Sequence, residues 1–178
     1  MEGVEMKKIL VLSDTHGDLD MTKRILQKHQ DADMRIHLGD VGFDLHEISS
    51  CCIVKGNHDH TSHLPMERIF QIEDRRLLCL HGNLFDEETV QEVFAMKNIS
   101  SDELMELCMR ILYTKLKNHA KEKHCDIVLF GHTHHQCCKE LDGVLLINPG
   151  SICLGTPHNG YAIVCIDQDD VKVRLLQC

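Results

Sequence analysis

The chain has 178 residues and a mass of 20.4 kDa, a length that suits one domain with a sizeable core and is too short for a second catalytic domain. Nineteen Lys and Arg against 28 Asp and Glu give a formal net charge of −9 at pH 7. This balance argues against stable nucleic-acid binding, because Lys and Arg must replace the counterions of the phosphates. We therefore expect one globular domain over residues 1–178.

Ten cysteines and 14 histidines are the unusual counts in the composition. The cysteines show no C-x-x-C spacing, and most lie in apolar runs, which is typical of buried, reduced thiols. No apolar run reaches the roughly 18 residues that a membrane span needs, and no apolar stretch precedes a small-residue cleavage site at the N-terminus. These features predict a cytoplasmic protein without a membrane partner.

The first third of the chain is predicted to form a strand, a helix and two further strands. Residues 7–13 are a short apolar run that ends in a polar turn, and residues 18–30 carry apolar side chains at helical spacing. Residues 34–38 and 51–54 are short β-like runs that stop at glycine-containing turns. Ligands of open α/β sheets bind at the carboxyl ends of such strands, so the polar residues of these turns are candidates for a site.

A hairpin, one long helix and several strands are predicted for the remainder. Residues 69–72 and 76–80 have the pattern of a hairpin, and Ser100 with Glu103 forms a capping box for an amphipathic helix over about residues 102–123. Further strands are predicted over residues 127–130, 137–141, 144–148, 161–166 and 171–176. This order predicts an α/β fold in which two sheets share a core.

Five segments place an imidazole or an oxygen ligand directly after an apolar strand. In chain order they are Asp14-Thr15-His16, Gly39-Asp40, Gly56-Asn57-His58-Asp59, His81-Gly82 and Gly131-His132-Thr133-His134. Imidazoles and carboxylates without thiolates suit Mn²⁺, Fe or Zn²⁺, and two cations held roughly 3.5 to 4 Å apart need a carboxylate between them. The segments predict two divalent metal ions with Asp40 as the bridge. Mn²⁺ is the ion we expect, and Fe, Zn²⁺, Ni²⁺ and Mg²⁺ are the other candidates.

The motif order D-x-H, G-D, G-N-H-[DE], H and G-H-x-H resembles the calcineurin-like metallophosphoesterase superfamily. The length and the Asn148-Pro149-Gly150-Ser151 segment are most similar to its small single-domain bacterial and archaeal phosphodiesterases. The resemblance implies a four-layer α/β fold, in which two mixed β-sheets pack as a sandwich with helices on the outer faces. It also implies a phosphoric diester hydrolase that cleaves a small phosphodiester by attack of a metal-bridging hydroxide.

The resemblance assigns a role to each motif residue. It implies that the first metal is held by Asp14, His16, Asp40 and His134, and the second by Asp40, Asn57, His81 and His132. His58 matches the catalytic histidine of the family, which stabilises charge on the phosphoryl oxygens or protonates the leaving alkoxide. Asp44 and Asp59 are the two candidates for the carboxylate that orients His58.

The sequence departs from the family in two places. The protein Ser/Thr phosphatases continue G-D with a motif that contains Asp-Arg-Gly, which is absent here, so a phosphoprotein substrate is disfavoured. Residues 83–99 form an insertion relative to compact members, and Val90, Val93 and Phe94 within it have helical spacing. This insertion either shapes the substrate pocket or forms a contact in a homo-oligomer.

Two alternative functions stay open at this stage. A phosphomonoesterase or nucleotide phosphatase would use the same ligands. A non-catalytic protein-interaction scaffold, the role of the family's fold in the retromer coat, would lack catalytic groups, whereas His58 and every ligand type are present here. The remaining histidines are interpreted as surface or core residues.

Overall fold

A computed structural model describes residues 6–61, 63–94, 101–168 and 170–178. In these residues ten strands form two five-stranded sheets. From edge to edge, the first sheet contains β10 (Val171–Gln177), β9 (Gly160–Ile166), β1 (Lys7–Leu12), β2 (Met34–His37) and β3 (Cys52–Ile53). The second sheet contains β4 (Glu67–Ile72), β5 (Arg75–Leu80), β6 (Ile127–Leu129), β8 (Val144–Asn148) and β7 (Cys137–Leu141). The helices are α1 (Leu19–Lys28), α2 (Asp86–Phe94) and α3 (Ser101–Glu122).

Both sheets are mixed. In the first sheet β1, β2 and β3 run parallel, whereas β9 pairs antiparallel with both β1 and β10. In the second sheet β5, β6 and β8 run parallel, whereas β4 and β7 pair antiparallel with β5 and β8. The carboxyl ends of parallel strands open toward the loops at one edge of a sheet, which is where ligands of α/β folds bind.

The two sheets pack face to face, and β1 shows how. Successive side chains of a strand point to opposite faces, so Ile9 and Val11 enter a core that also contains Leu77 of the second sheet. Leu10 and Leu12 point the other way and pack against Ile25 of α1. All four apolar side chains of β1 are fully buried, because both faces of this strand are covered.

Helix α3 covers the outer face of the second sheet. Its Leu112, Leu116 and Ala120 pack against Leu78 and Val128. The layers are therefore α1, the first sheet, the second sheet and α3, and the predicted four-layer α/β sandwich is confirmed. The apolar face of the predicted amphipathic helix is buried at Leu107, Leu112 and Leu116, but Leu104 near its start is 40% exposed.

The insertion contains the helix that its spacing predicts. Helix α2 begins with three acidic residues in its first turn, which suits the positive end of the helix dipole. Lys115 of α3 forms ion pairs of 2.8 Å with Glu88 and 2.7 Å with Glu92, so α2 is held against α3. The predicted cap Ser100 and the rest of the insertion after Phe94 lie outside the described residues.

Two features bear on the cellular setting. All ten cysteines lie in the described part of the chain, and each is a free thiol. Among the described helices, none combines the length and the apolar character that a bilayer crossing requires.

Candidate metal centre

Five of the predicted site residues have a left-handed backbone conformation. The φ angles are 51° at Asp14, 40° at His16, 57° at Asp40, 68° at His132 and 58° at His134. Asp and His enter this region more readily than most residues, but each instance still costs about 1 to 2 kcal/mol. Such strain persists where a surrounding structure holds it and is concentrated at functional sites. The loops at this edge of the sandwich are therefore shaped to aim side chains inward.

Asp14, two residues after β1, is the centre of the first group of ligand atoms. Its Oδ1 lies 3.2 Å from His134 Nε2, 3.7 Å from His16 Nε2 and 3.9 Å from His81 Nε2. The two imidazole nitrogens of His16 and His134 are 3.3 Å apart. Asp14, His16 and His134 therefore converge on one point that a cation can occupy.

Asp40, three residues after β2, belongs to a second group of ligand atoms beside the first. Its Oδ2 is 3.4 Å from His81 Nε2 and 3.8 Å from His16 Nε2, so the carboxylate faces an imidazole of each group. The Oδ1 atom of Asn57 is 3.0 Å from His81 Nε2. Asp14, Asp40 and His81 form the second cluster with metal-ligand spacing. The structure thus brings six of the seven predicted ligands together. Asp14 belongs to both clusters, and Asp40 faces an imidazole of each.

His132 lies at the side of this arrangement. Its ring centroid is 5.1 Å from that of His81, but its Nε2 is 2.9 Å from Oδ1 of Asp86, the first residue of α2. A histidine that donates one ring nitrogen to a carboxylate binds metal through the other, so His132 would use Nδ1. Asp86 is not among the site residues predicted from the sequence. The only sequence feature that points to this residue is its place near the predicted helix of the insertion.

The electrostatics of the cluster favour cations. Burial raises the pKa of Asp14, but the hydrogen bonds from His134 and His16 outweigh burial and hold this pKa well below its usual range. Burial also raises the pKa of Asp40, and the hydrogen bond from His81 more than offsets it. Burial lowers the pKa of His81, yet the two carboxylates raise it above its ordinary value. Buried carboxylates that stay ionised among imidazoles, without a cysteine in either cluster, fit divalent ions such as Mn²⁺, Fe or Zn²⁺.

His58 stands at the rim of the cluster. Its side chain is 68% exposed, its Nε2 is 4.0 Å from Asp40 Oδ2, and its ring lies 5.5 Å from that of His16. The backbone N–H of His58 donates to Asp40 Oδ1 at 2.8 Å, which fixes the loop while leaving the ring free toward solvent. The side chain can therefore meet a substrate without acting as a ligand.

Both candidate carboxylates for orienting His58 bind backbone N–H groups. Asp59 is buried, and its two oxygens accept backbone N–H groups of Asp40, Val41 and Gly56 at 2.8 to 2.9 Å. Asp44 accepts the backbone N–H of His46 at 2.9 Å and caps a short 3-10 turn. A buried carboxylate must have its own hydrogen bonds satisfied, and Asp59 does so by joining the loops after β2 and β3.

A buried histidine, His37 at the end of β2, supports the first two loops. Its Nδ1 accepts the backbone N–H of Gly39 at 3.2 Å, and its Nε2 lies 3.1 Å from the Thr15 hydroxyl. Thr15 in turn donates to the carbonyl oxygen of Val41 at 2.8 Å. These bonds tie the loop of Asp14 to the loop of Asp40, although the sequence places His37 only within a strand.

His37 should make the unfolding free energy depend on pH. Burial lowers its pKa from 6.5 to about 4, so below pH 6.5 the unfolded chain binds a proton that the folded chain rejects. This group therefore stabilises the fold fully above pH 6.5, and about 3 kcal/mol is lost as the pH falls to 4. In metal-free protein, the difference in unfolding free energy between the wild type and His37→Asn should shrink by that amount from pH 7 to pH 4 in denaturant titrations. A constant difference would contradict it.

The Asn148-Pro149-Gly150-Ser151 segment supports the site from the other sheet. The side-chain amide of Asn148 donates to the carbonyl oxygen of Gly131 at 2.7 Å and to the Thr133 hydroxyl at 3.1 Å. Ser151 donates its hydroxyl to the carbonyl oxygen of Asp14 at 2.7 Å. The segment thus fixes the loop after β6 and the loop after β1 at once.

Gly56 is required by close packing against Asp40. A Cβ at this position would overlap the Asp40 Oδ1 and backbone nitrogen. We expect Gly56→Ala to destabilise the fold by about 3 kcal/mol, because backbone atoms cannot yield, and to lower metal affinity. Gly143→Ala is the matched control: a Cβ there meets nothing within 4 Å, so only its φ of 81° opposes it, at about 1 kcal/mol. Thermal unfolding and metal titration of both variants would check this, and equal losses would contradict it.

Two mixed sheets with a carboxylate and imidazole cluster at their carboxyl-end loops are the features of a metal-binding α/β protein. The profile of the calcineurin-like phosphoesterase superfamily domain matches residues 6–170. The chain therefore belongs to the calcineurin-like phosphoesterase superfamily, as its motifs predict.

Relatives and solved structures agree with this assignment. The chain is 28% identical to the probable metallophosphoesterase YsnB of Bacillus subtilis strain 168, over 93% of this chain and 88% of that one. It is 24% identical to the phosphodiesterase YfcE of Escherichia coli K12, over 96% and 93%. A predicted phosphoesterase of Streptococcus pneumoniae TIGR4 superposes with a TM-score of 0.76 at 26% identity, covering 98% and 91%. Vps29 of Chaetomium thermophilum shares the fold, with a TM-score of 0.67 at 18% identity, covering 93% and 85%.

Proposed function

We propose that this phosphoesterase is a dinuclear phosphodiesterase that hydrolyses a small phosphodiester in the cytoplasm, with residues 1–178 as one catalytic domain. Asp14, His16, Asp40 and His134 would hold the first ion, and Asp40, Asn57, His81 and His132 the second. The observation that carries the proposal is the position of Asp40 between two groups of imidazoles, 3.4 Å from His81 and 3.8 Å from His16. Mn²⁺ is the proposed ion, since the donors are imidazoles and hard oxygens.

The protein's own groups divide the work. Bound divalent ions would lower the pKa of a water molecule to about 7. They would also supply positive charge that stabilises the phosphoryl oxygens. Asp40 orients the two ligand groups toward each other, and His58 reaches the leaving side of the substrate from the rim. His58 either stabilises the developing charge as imidazolium or donates its proton to the leaving alkoxide. The preference for a diester is supported by the relative named phosphodiesterase, YfcE.

The test compares a chromogenic diester with its monoester. Metal-stripped protein should hydrolyse neither bis(p-nitrophenyl) phosphate nor p-nitrophenyl phosphate, and added Mn²⁺ should restore turnover, with the diester preferred. Faster turnover of the monoester would make the chain a phosphomonoesterase with the same site. If protein that binds metal turns over neither ester with any divalent ion, the non-catalytic scaffold function replaces the proposal.

A further inference from the structure

A cavity of about 270 Å³ opens beside the candidate metal centre, between α2, α3 and the loop after β6. We call it the α2–α3 pocket. The loop contributes His132, Thr133 and His135 to its lining, so the pocket begins where the proposed metal ligands end. A substrate with its phosphoryl group at the metal centre can therefore extend one ester group into the pocket.

One wall of the pocket is an apolar stripe of α3. Residues at i, i+3, i+4 and i+7 share one face of a helix, and the lining residues Met105, Cys108, Met109 and Leu112 have this spacing. Three of the four carry sulfur, and such polarizable side chains adapt to the shape of a bound apolar group. The wall thus favours an apolar group over a sugar-like or glycerol-like one.

The helix α2 adds the polar part of the lining. Asp86 and Thr89 face the pocket from successive turns, and Asp86 is already bonded to His132 Nε2. Thr89 is 8% exposed, and its hydroxyl has no hydrogen-bond partner among the described residues.

The pocket lining also limits the charge of its occupant. The part of the lining that the structure describes includes no lysine or arginine, so a second phosphate or a carboxylate would find no fixed cation there. Val93 of α2 packs against Leu107 and Ile111 of α3, which keeps the two walls in place. The ion pairs of Lys115 with Glu88 and Glu92 add to this contact. The cavity is therefore a built feature of the helix pair and selects an uncharged group.

We propose that the α2–α3 pocket binds one ester group of the phosphodiester, and that this group is uncharged, mainly apolar and about the size of a single ring. An apolar cavity of about 150 Å³ holds one benzene ring, so the observed volume accommodates a ring with a small substituent. The inference rests on the proposed function, because the phosphoryl group must lie at the metal centre for its ester group to enter the pocket.

The test measures binding of phenylphosphonate and methylphosphonate to the Mn²⁺-loaded protein by calorimetry. Both probes carry the same charged group, and only phenylphosphonate has a ring for the pocket. We expect phenylphosphonate to bind about 10-fold more tightly or better. Met109→Glu should abolish this preference. Leu104→Glu makes the same change at a position on α3 outside the lining and should preserve the preference.

Further measurements keep the result interpretable. Met109→Ala, which only truncates the wall, should reduce the preference even if Met109→Glu fails to fold. Equal affinity of the two phosphonates in wild-type protein that hydrolyses bis(p-nitrophenyl) phosphate would overturn the pocket assignment and leave the proposed function standing. If the protein binds neither phosphonate and hydrolyses neither ester, the proposed function and the pocket assignment both fall.

Discussion

Replacing Asp40 with Asn is expected to lower diester turnover by about 10³-fold or more. The amide keeps an oxygen that can accept the hydrogen bond from the His58 backbone N–H, which is 2.8 Å long in the wild type. It removes the negative charge that faces His81 and His16. Loss of a charge fixed at the reacting centre typically costs this much in kcat. The measurement is kcat on bis(p-nitrophenyl) phosphate at saturating Mn²⁺, with bound metal determined on the same samples.

The fold of the Asp40→Asn variant should survive without metal. In metal-free protein the substitution removes the attraction between Asp40 and His81, but it also removes the repulsion from Asp14. The amide can still accept the His58 backbone N–H, so the loop keeps its anchor. Asp44→Asn is the matched control, because Asp44 only caps a 3-10 turn, and it should retain wild-type kcat. Wild-type turnover in Asp40→Asn would refute the assignment of Asp40.

Replacing His58 with Ala is expected to lower kcat by about 10² to 10⁴-fold, the usual effect of losing a general acid, without loss of bound metal. The side chain is 68% exposed at the rim, and the hydrogen bond to Asp40 comes from its backbone, which the substitution keeps. The metal cluster should therefore stay intact. His60→Ala, an exposed histidine two residues further on, is the control that should leave kcat unchanged.

The leaving group separates the two roles open to His58. If His58 protonates the leaving oxygen, His58→Ala should impair hydrolysis of diphenyl phosphate far more than that of bis(p-nitrophenyl) phosphate, whose leaving group needs little protonation. Equal losses on both substrates would assign His58 to charge stabilisation at the phosphoryl oxygens. Loss of metal together with activity would instead show that His58 acts in the metal centre, contrary to its position.

The strand pattern predicts much of this site because of topology. Asp14, Asp40 and His81 each follow a strand of a parallel set, and the carboxyl ends of such strands place their loops side by side. The short apolar runs therefore predict both the elements and the edge at which the ligands meet.

Other contacts depend on information that periodicity does not carry. Asp86 contacts His132 because helix α2, which is distant in sequence from the loop after β6, lies beside that loop in the fold. Asp59 follows His58 in sequence, but its oxygens serve buried backbone N–H groups of distant loops. Buried hydrogen-bonding demand decides such partners, and sequence adjacency does not.

The most direct test of the dinuclear centre is a crystal structure of Mn²⁺-loaded protein with anomalous scattering recorded for manganese. The proposed function predicts two anomalous peaks on either side of the Asp40 carboxylate. One peak should lie among Asp14, His16 and His134, and the other among Asn57, His81 and His132, with His132 bound through Nδ1 and still bonded to Asp86. A single peak, or manganese bound away from Asp40, would contradict the two-metal phosphodiesterase.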